Sequence, residues 1–361
     1  MTSYAELSDS ELLQLYHSKK EQVAMLDSTQ HAYKILANSG YGAIGNKTFR
    51  YYLEDIAEGI TATGQLAIRY IANKLNEYLN KEFNTVGIDY VAYSDTDSVY
   101  FTLENFVLQR VPKGVDIDAV ITMLDQYVDS NVEPFIDEMY QLLSVYLNAK
   151  ENKLIMKREA IADCMILRGK KNYIINVYDN EHVRYSEPKL KMMGIETART
   201  STPKIVREEL KECLKLVVKN DKESLRTRTA DFKKTYNASP IQTIAFPRGV
   251  KDIEKWVCPV TGNIISGCPI HVRAALNYNH LIKSREVTNY YETISSGDKM
   301  RFIILKKGNS IGSHVLGFVD DVPFVDEIEP FVDRTTLFEN SFLKPLESFS
   351  NLVNMDIRNS Y

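Results

Sequence analysis

The segment 89–103, DYVAYSDTDSVYFTL, constrains the fold more than any other stretch of this 361-residue chain. Two runs rich in tyrosine, valine and phenylalanine flank a short polar break that contains Asp95 and Asp97. Successive strand residues face opposite sides of a sheet, so the pattern predicts two antiparallel strands joined by a tight turn. Such a hairpin would present both carboxylates at its tip.

The close spacing of Asp95 and Asp97 calls for a positive group beside them. Neighbouring carboxylates repel one another unless a shared proton, a basic side chain or a divalent cation lies between them. Mg²⁺, which prefers oxygen ligands, is the natural candidate. A solvated turn is the alternative, because aspartate and serine are common in turns.

Composition and length indicate an ordinary soluble globular protein of two or three domains, with 44% hydrophobic and 25% charged residues. No run is apolar enough to cross a membrane, and the N-terminal residues lack the order of a signal peptide, which predicts a cytoplasmic protein. The four cysteines are too few for a disulfide framework. A zinc site at Cys258 and Cys268 is not expected, because no histidine or second cysteine pair stands at ligand spacing.

The charge distribution bears on nucleic-acid binding, although the formal net charge of −4 argues against it at first sight. Segment 319–361 carries nine acids and three bases, a surplus of −6, so the rest of the chain has a surplus of +2. Segment 149–193 carries ten lysines and arginines against six acids, with tyrosines among them. This basic zone suits a surface that follows a phosphate backbone, and a plain solvated face is the alternative.

Helices are predicted around the hairpin from capping phrases and helical spacing. The first helix is expected to begin near Ser8 and stop at Gly42 to Gly45, and the second covers 61–83. The apolar face of the second helix is predicted to contain Leu66, Tyr70, Leu75, Tyr78 and Leu79.

After the hairpin, the pattern predicts a helix over 120–149 and a strand pair at 153–163 and 170–180. A further helix is expected after Thr202 as N-cap, with Pro203 in its first position. A short strand is expected near 300–307.

Three polar side chains of the first helix share one face, since Lys34, Asn38 and Tyr41 stand at i, i+4 and i+7. Together they could bind a triphosphate, with Tyr41 packed on a sugar or base. The alternative is an exposed lysine above a helix end, with Tyr41 in the core.

Two motifs resemble those of family B DNA polymerases, in the same order. The run KILANSGYG from Lys34 to Gly42 resembles the fingers-helix motif, and YSDTDS from Tyr93 to Ser98 resembles the palm-hairpin motif. The phrase KREAI at 157–161 is similar to the palm strand that carries a third carboxylate. KKNY at 170–173 is similar to the family's Lys-Lys-Arg-Tyr contact with primer-template DNA.

Other phrases resemble, more narrowly, the family B polymerases of T-even-type bacteriophages: FRYY, NVYD, GIETARTSTPK, CPIHVRAALNY and TLFENSFLKPL. The resemblance covers nearly the whole chain and is densest from about His31 to Lys211. It implies an α+β fold with an antiparallel palm sheet, a helical fingers segment and a mainly helical thumb. The implied domains are the C-terminal half of the fingers at 1–46, the palm at 47–194 and the thumb at 195–361.

The resemblance also implies a reaction, namely templated transfer of nucleotides from dNTPs to a primer 3′-hydroxyl. Asp97 matches the acid that holds both catalytic metals, Asp95 its less directly coordinating neighbour, and Glu159 an outer carboxylate. The implied cofactor is Mg²⁺ in a two-metal site, for which Mn²⁺ could substitute.

Two further groups of residues are implied to contact the substrates. Contacts with the incoming nucleotide are implied for Lys34, Asn38, Tyr41 and Ser98. Contacts with primer-template DNA are implied for Lys170, Lys171 and Tyr173. Asn172 stands where the pattern has arginine, which leaves one phosphate contact of the pattern without its cation.

Part of the family pattern has no match in the chain. The other metal-binding aspartate belongs to an Asp-x-x-Ser-Leu-Tyr-Pro motif before the fingers, and no such stretch precedes Lys34. We therefore expect the C-terminal part of a split polymerase, active only with a companion chain that carries this motif and an exonuclease. A part of a longer protein is the alternative. The end NMDIRNSY lacks the apolar tail by which related phage enzymes engage a sliding clamp, so clamp binding is not expected.

Two other function classes compete with this interpretation. Asp95-x-Asp97-x-Val99 also fits the nucleophile phrase of haloacid-dehalogenase-like phosphatases, which follows a buried parallel strand in that fold. A non-catalytic DNA-binding subunit is the second alternative, since the chain alone lacks half of the metal site. Phosphatase activity on a small phosphoester would favour the first class, and DNA binding that stays inert with any companion would favour the second.

Overall fold

The computed structural model describes residues 7–357, which form two compact units. Unit 1 comprises the described residues up to 116 together with 126–157. Unit 2 comprises 117–125 together with the described residues from 158 onward. Within residues 7–357, no helix combines the length and apolar character needed to cross a bilayer.

Helices dominate the chain, and its small sheets are all antiparallel, which confirms the α+β prediction. The longer helices are α1 (Asp9–Ile44), α2 (Glu54–Glu82), α3 (Glu104–Arg110), α4 (Ile117–Tyr127), α5 (Glu133–Tyr146), α6 (Lys204–Val218), α7 (Lys222–Ala238), α9 (Ile270–Ser284) and α12 (Lys344–Ser350). The shorter ones are α8 (Ile241–Ile244), α10 (Val325–Ile328) and α11 (Arg334–Phe338). The strands are β1 (Val91–Asp95), β2 (Ser98–Phe101), β3 (Ala160–Gly169), β4 (Asn172–Asn180), β5 (Val183–Met193), β6 (Phe246–Gly249), β7 (Lys299–Ile304) and β8 (Val315–Phe318).

Helix α1 begins at a capping box, as its sequence predicts. The Ser8 hydroxyl accepts from the Glu11 backbone N–H at 3.4 Å, and the Glu11 carboxylate accepts from the Ser8 N–H at 2.9 Å. These bonds satisfy N–H groups that have no partner inside the helix. The helix runs for 36 residues and ends before Gly45, yet none of its side chains is buried. Packing within this chain therefore contributes little to its stability.

Helix α2 buries a narrow stripe that differs partly from the prediction. Its buried residues are Ala67, Ile71, Leu75 and Leu79, four residues apart. Leu75 and Leu79 confirm the predicted face, but Leu66 is 42% exposed because the stripe passes through position 67 instead. The helix also begins at Glu54, well before the expected start at 61.

An aromatic cluster packs at the C-terminal end of α2 in unit 1. The rings of Phe83 and Tyr90 lie 5.7 Å apart, and those of Phe106 and Tyr127 lie 4.5 Å apart. The Arg110 guanidinium lies over three of these rings while it pairs with Glu82 at 2.7 Å. Burial raises the pKa of Tyr127, because the charged phenolate would be poorly solvated here.

Unit 2 contains two three-stranded sheets, and the first has the order β3-β4-β5. Strand β4 agrees with the predicted segment 170–180. The other predicted strand, 153–163, was placed too early, because β3 begins at Ala160. Strand β5 was not predicted, since lysines, a glutamate and Pro188 break its apolar pattern.

The second sheet has the order β6-β7-β8, and β7 confirms the strand expected near residue 300. Helix α9 approaches β8 closely at Gly317, where a Cβ would lie only 3.0 Å from the Ala274 backbone. Helix α6 begins at Lys204, so the predicted capping by Thr202 was wrong. Pro203 takes the N-cap position, because its ψ of 143° is extended and not helical.

Candidate active site and nucleic-acid contacts

The hairpin predicted around Asp95 and Asp97 is present in unit 1. Strands β1 and β2 pair with Asp95 opposite Ser98, so Thr96 and Asp97 form a two-residue loop. The Asp97 N–H donates to the Asp95 carbonyl oxygen at 2.6 Å, and Ser98 Oγ donates to the same oxygen at 3.1 Å. This antiparallel arrangement excludes the buried parallel strand that the phosphatase alternative requires.

Thr96 holds a strained conformation at the tip of the hairpin, with φ of 56°. Two-residue hairpin loops need a positive φ at their first central position, where glycine or asparagine is usual. A β-branched residue in this region stores roughly 1–3 kcal/mol of strain, and such strain concentrates at functional sites. The Thr96 hydroxyl also donates to Asp95 Oδ1 at 3.0 Å, which ties the loop to the half-buried carboxylate.

The two carboxylates of the tip differ in their surroundings. The Asp97 side chain is exposed and makes no hydrogen bond or ion pair with any residue between 7 and 357. Asp95 is half-buried and accepts from Thr96. Carboxylate oxygens are the ligands that Mg²⁺ prefers, so the donors at this tip fit such a cation.

Two asparagines of α2 orient the hairpin, which the sequence did not reveal. Asn76 Oδ1 accepts from the N–H groups of Tyr90 at 2.8 Å and Val91 at 3.0 Å. Asn76 Nδ2 donates to the Asp89 carboxylate at 2.6 Å. These bonds fix the direction in which β1 leaves the helix, because they hold the backbone at its first residues.

One turn later on α2, Asn80 fixes the preceding loop in the same way. Its Oδ1 accepts from the Ile88 N–H at 3.0 Å, and its Nδ2 donates to the Ile88 carbonyl at 2.7 Å. The pair at i and i+4 is the only sequence signal that could have drawn attention to these residues.

We expect Asn76→Ala to lower the free energy of unfolding of unit 1 by about 2 kcal/mol, because two backbone N–H groups lose their acceptor. Equilibrium denaturation in urea is the measurement. Asn73→Ala is the matched control, since the exposed Asn73 side chain lies on the same helix, makes no hydrogen bond with residues 7–357 and should change the value little. Equal effects of the two substitutions would show that the hydrogen bonds of Asn76 do not stabilise the hairpin.

Glu159, the third predicted carboxylate, belongs to unit 2 and lies immediately before β3. Its Oε1 accepts from Lys191 Nζ of β5 at 2.5 Å. Its neighbour Arg158 is 4% exposed and pairs with Asp179 at 2.6 Å and Asp125 at 2.7 Å. The buried arginine thus anchors the backbone beside Glu159.

Asp179 stays charged inside this network. Burial alone would raise its pKa, but the hydrogen bond and charge of Arg158, followed by those of Arg184, hold the pKa below its ordinary value. A carboxyl group whose pKa is lower in the native state stabilises the fold above its unfolded pKa of about 4. That contribution is lost as the pH falls through the native pKa.

The predicted DNA contacts of unit 2 surround the turn between β3 and β4. Lys170 is exposed in this turn, and Lys171 has φ of 56°. Asn172, in place of the expected arginine, donates from Nδ2 to the Gly194 carbonyl at 3.3 Å. Arg199 Nη2 donates to the same oxygen at 3.0 Å. The Arg199 guanidinium therefore lies near Asn172, the residue at which the family pattern has arginine. Tyr173 is buried, with 4% of its surface exposed.

The predicted nucleotide contacts Lys34, Asn38 and Tyr41 all lie exposed on α1 in unit 1. Tyr41 is 45% exposed, so it does not belong to a core within this chain. Gly40 and Gly42 flank it inside the helix, and a Cβ at either position would meet nothing within 4 Å. Packing within the described chain does not require these glycines.

No cluster of three or more metal-ligand side chains in the described part of the chain includes Cys258 or Cys268. All four cysteines are free thiols.

Comparison with known proteins matches the model of DNA polymerase family B to residues 11–348. The DNA-directed DNA polymerase of Enterobacteria phage T4 is 34% identical over 99% of this chain and 40% of that protein. The DNA-directed DNA polymerase of Escherichia phage RB69 is 35% identical over 95% of this chain and 39% of that protein. A DNA polymerase of Thermococcus gorgonarius is 24% identical over 90% of this chain and 34% of that protein.

The chain thus spans about two fifths of the length of the phage polymerases that it matches. The family match covers the hairpin, the β3–β4 turn and helix α9 together. This chain belongs to DNA polymerase family B.

Proposed function

We propose that this chain supplies the catalytic hairpin of a DNA-directed DNA polymerase, which extends a primer 3′-hydroxyl with dNTPs in the cytoplasm of a bacterial host. The observation that carries the proposal is the open carboxylate of Asp97 beside Asp95 at the tip of a strained hairpin, in a member of this family. The proposed domains remain fingers at 1–46, palm at 47–194 and thumb at 195–361.

The proposed residues have distinct roles. Asp97 and Asp95 of unit 1 would hold Mg²⁺, and Glu159 of unit 2 keeps the outer-carboxylate role that the family resemblance implies. Once bound, the cation supplies the positive charge that activates the primer hydroxyl and stabilises the pyrophosphate leaving group. The Ser98 hydroxyl donates to the Asp95 carbonyl oxygen and thereby stabilises the turn, which in this proposal contacts the nucleotide.

Helix α1 positions the triphosphate of the incoming nucleotide in this proposal. Lys34 binds a phosphate oxygen, Asn38 donates to another, and Tyr41 contacts the nascent base pair. Glycine inside a helix costs about 1 kcal/mol relative to alanine. A Cβ at Gly40 or Gly42 would meet no atom of the described chain within 4 Å, so packing within the chain does not explain these glycines. We propose that they allow the substrate or another polypeptide to approach the helix backbone closely.

The exposed apolar surface of α1 favours the hypothesis that a second polypeptide binds this chain. Large side chains along the helix are 58–70% exposed: Leu13, Tyr16, Val23, Tyr33 and Leu36. Exposed apolar surface on this scale marks a contact with another molecule. We propose that a companion chain covers this surface, carries an exonuclease and supplies the remaining palm aspartate. A stable interface of this kind buries upwards of about 2,000 Å².

We expect substitutions in the two substrate regions to have different effects. Lys34→Ala should raise the apparent KM for dNTPs and slow incorporation, because the lost cation faces the transferring phosphate. Lys171→Ala should instead weaken primer-template binding and lower the slope of log K against log salt by about one. Steady-state primer extension and fluorescence anisotropy measure these quantities.

The matched controls are Lys20→Ala on α1 and Lys222→Ala at the start of α7, both exposed lysines outside the proposed site. Neither should change KM or DNA affinity appreciably. If Lys34→Ala and Lys171→Ala impaired DNA affinity equally and left KM unchanged, the proposed division of roles would be wrong.

A further inference from the structure

The hairpin that carries Asp95 and Asp97 has little apolar support within this chain. None of the residues in strands β1 and β2 is buried, and among residues 7–357 the two strands pair only with each other. A hairpin of two strands is marginally stable in water unless further strands or a helix hold it. The contacts at the base of the hairpin, where it meets α2, therefore decide its direction.

The half-buried Asn76 side chain of α2 makes contacts at this base. Its Oδ1 accepts from the N–H groups of Tyr90 and Val91. Its Nδ2 donates to the Asp89 carboxylate at 2.6 Å. One amide thus binds three successive residues at the point where β1 begins. This arrangement needs a donor and an acceptor on one short side chain, and an amide provides both.

Asn80 supports this base from the next turn of α2. Its Nδ2 donates to the Asn76 carbonyl oxygen at 2.8 Å, and its Oδ1 accepts from the Thr85 hydroxyl at 3.0 Å. The Thr85 hydroxyl also lies 2.9 Å from the Tyr90 hydroxyl, to which Asn105 of α3 donates at 2.6 Å. Because Tyr90 is buried, these bonds join the loop before β1 to the interior of unit 1.

A small rotation at the base would become a large displacement at the tip of the hairpin. From Val91 to Asp95 the strand rises by about 3.3 Å per residue, or roughly 13 Å in all. A tilt of about 5° at Val91 would then move the carboxylates by roughly 1 Å. A displacement of about 1 Å from the productive geometry can slow an enzyme on the order of a hundredfold. The direction of β1 therefore matters for catalysis.

We propose that Asn76 is a positioning residue of the polymerase. Its hydrogen bonds set the direction in which the hairpin leaves α2, and therefore the place of Asp95 and Asp97 relative to the cation and the nucleotide. Asn76 itself would contact neither metal nor substrate. The inference rests on the proposed function, since it assumes that these carboxylates hold Mg²⁺.

The test is single-turnover primer extension by the assembled polymerase, at a temperature where urea denaturation shows every variant to be folded. Asn76→Ala should lower the maximal incorporation rate by about ten- to a hundredfold, because the carboxylates are held less accurately. The Mg²⁺ concentration that gives half the maximal rate should also rise, because cation affinity depends on the rigidity of the site. Affinity for primer-template DNA, measured by anisotropy, should stay unchanged.

Leu143→Ala controls for loss of stability alone. Leu143 is buried on α5 in the same unit. Removal of a buried leucine side chain usually destabilises a protein at least as much as loss of a hydrogen-bonding amide. While it is folded, this variant should keep the wild-type rate and Mg²⁺ requirement. Asn73→Ala, which removes an exposed amide of α2, should change neither quantity.

An exchange of the Asn76 and Asp89 side chains provides a second test. Asn76→Asp keeps an acceptor for the two backbone N–H groups but places a carboxylate against that of Asp89, so the rate should fall. Adding Asp89→Asn to this variant restores a bond between an amide and a carboxylate at the wild-type net charge. The double variant should therefore recover most of the wild-type rate and Mg²⁺ requirement.

A wild-type rate and Mg²⁺ requirement in folded Asn76→Ala would overturn the inference and leave the proposed function standing. An equal loss of rate in Leu143→Ala would also overturn it, because Asn76 would then act through stability alone. The same holds if Asp89→Asn fails to restore the rate that Asn76→Asp has lost. Absence of incorporation by the wild-type assembly would instead remove the proposed function itself.

Discussion

Asp97→Asn is expected to reduce nucleotide incorporation by the assembled polymerase at least about a thousandfold, with nearly unchanged affinity for primer-template DNA. The amide keeps the shape of the side chain but loses the charge that holds the metal, which contributes several kcal/mol to the transition state. Single-turnover primer extension measures the rate, and anisotropy of labelled DNA measures the affinity. Because Asp97 is exposed and unpaired among residues 7–357, the substitution should not alter stability.

Asp137→Asn is the control for this experiment, since Asp137 is an exposed carboxylate of the same unit on α5. It should retain nearly the full rate. If Asp97→Asn retained more than a small fraction of wild-type incorporation, Asp97 would not be a catalytic carboxylate.

Gly194→Ala is expected to destabilise unit 2 by more than about 3 kcal/mol. Gly194 has φ of 67°, a conformation that costs other residues free energy, and its Cβ would overlap the carbonyl oxygen of Lys171. The turn that carries Lys170 and Lys171 would have to move. We therefore also expect weaker DNA binding under conditions in which the variant remains folded.

Gly169→Ala is the matched control, because Gly169 ends β3 beside the same turn and a Cβ there would meet nothing within 4 Å. Urea denaturation should separate the two variants by several kcal/mol. Equal stabilities would mean that the close approach between Gly194 and Lys171 is not a constraint on the fold.

Local patterns predicted the parts of the structure that depend on near neighbours. The hairpin at Asp95 and Asp97 follows from alternating apolar residues on each side of a two-residue turn. The start of α1 follows from the Ser8 to Glu11 capping phrase. Both features are set by contacts within a few residues, which a sequence pattern displays directly.

Features that depend on distant contacts could not be predicted in this way. The Asn76 amide binds the backbone of Tyr90 and Val91, fourteen and fifteen residues further along the chain. Strand β5 was missed because its polar residues break the apolar pattern, and it is a strand through its pairing with β4, which no local pattern shows.

The central claim is that this chain contributes the metal-binding hairpin of a polymerase completed by a companion chain. The most direct test is template-directed primer extension with Mg²⁺ by the purified chain alone, by the companion alone and by the two mixed, alongside size-exclusion chromatography. We expect co-elution and robust extension only in the mixture, and loss of extension when the mixture contains Asp97→Asn. Robust synthesis by this chain alone would contradict the claim, and a co-eluting mixture that binds DNA without incorporating nucleotides would favour a non-catalytic DNA-binding subunit.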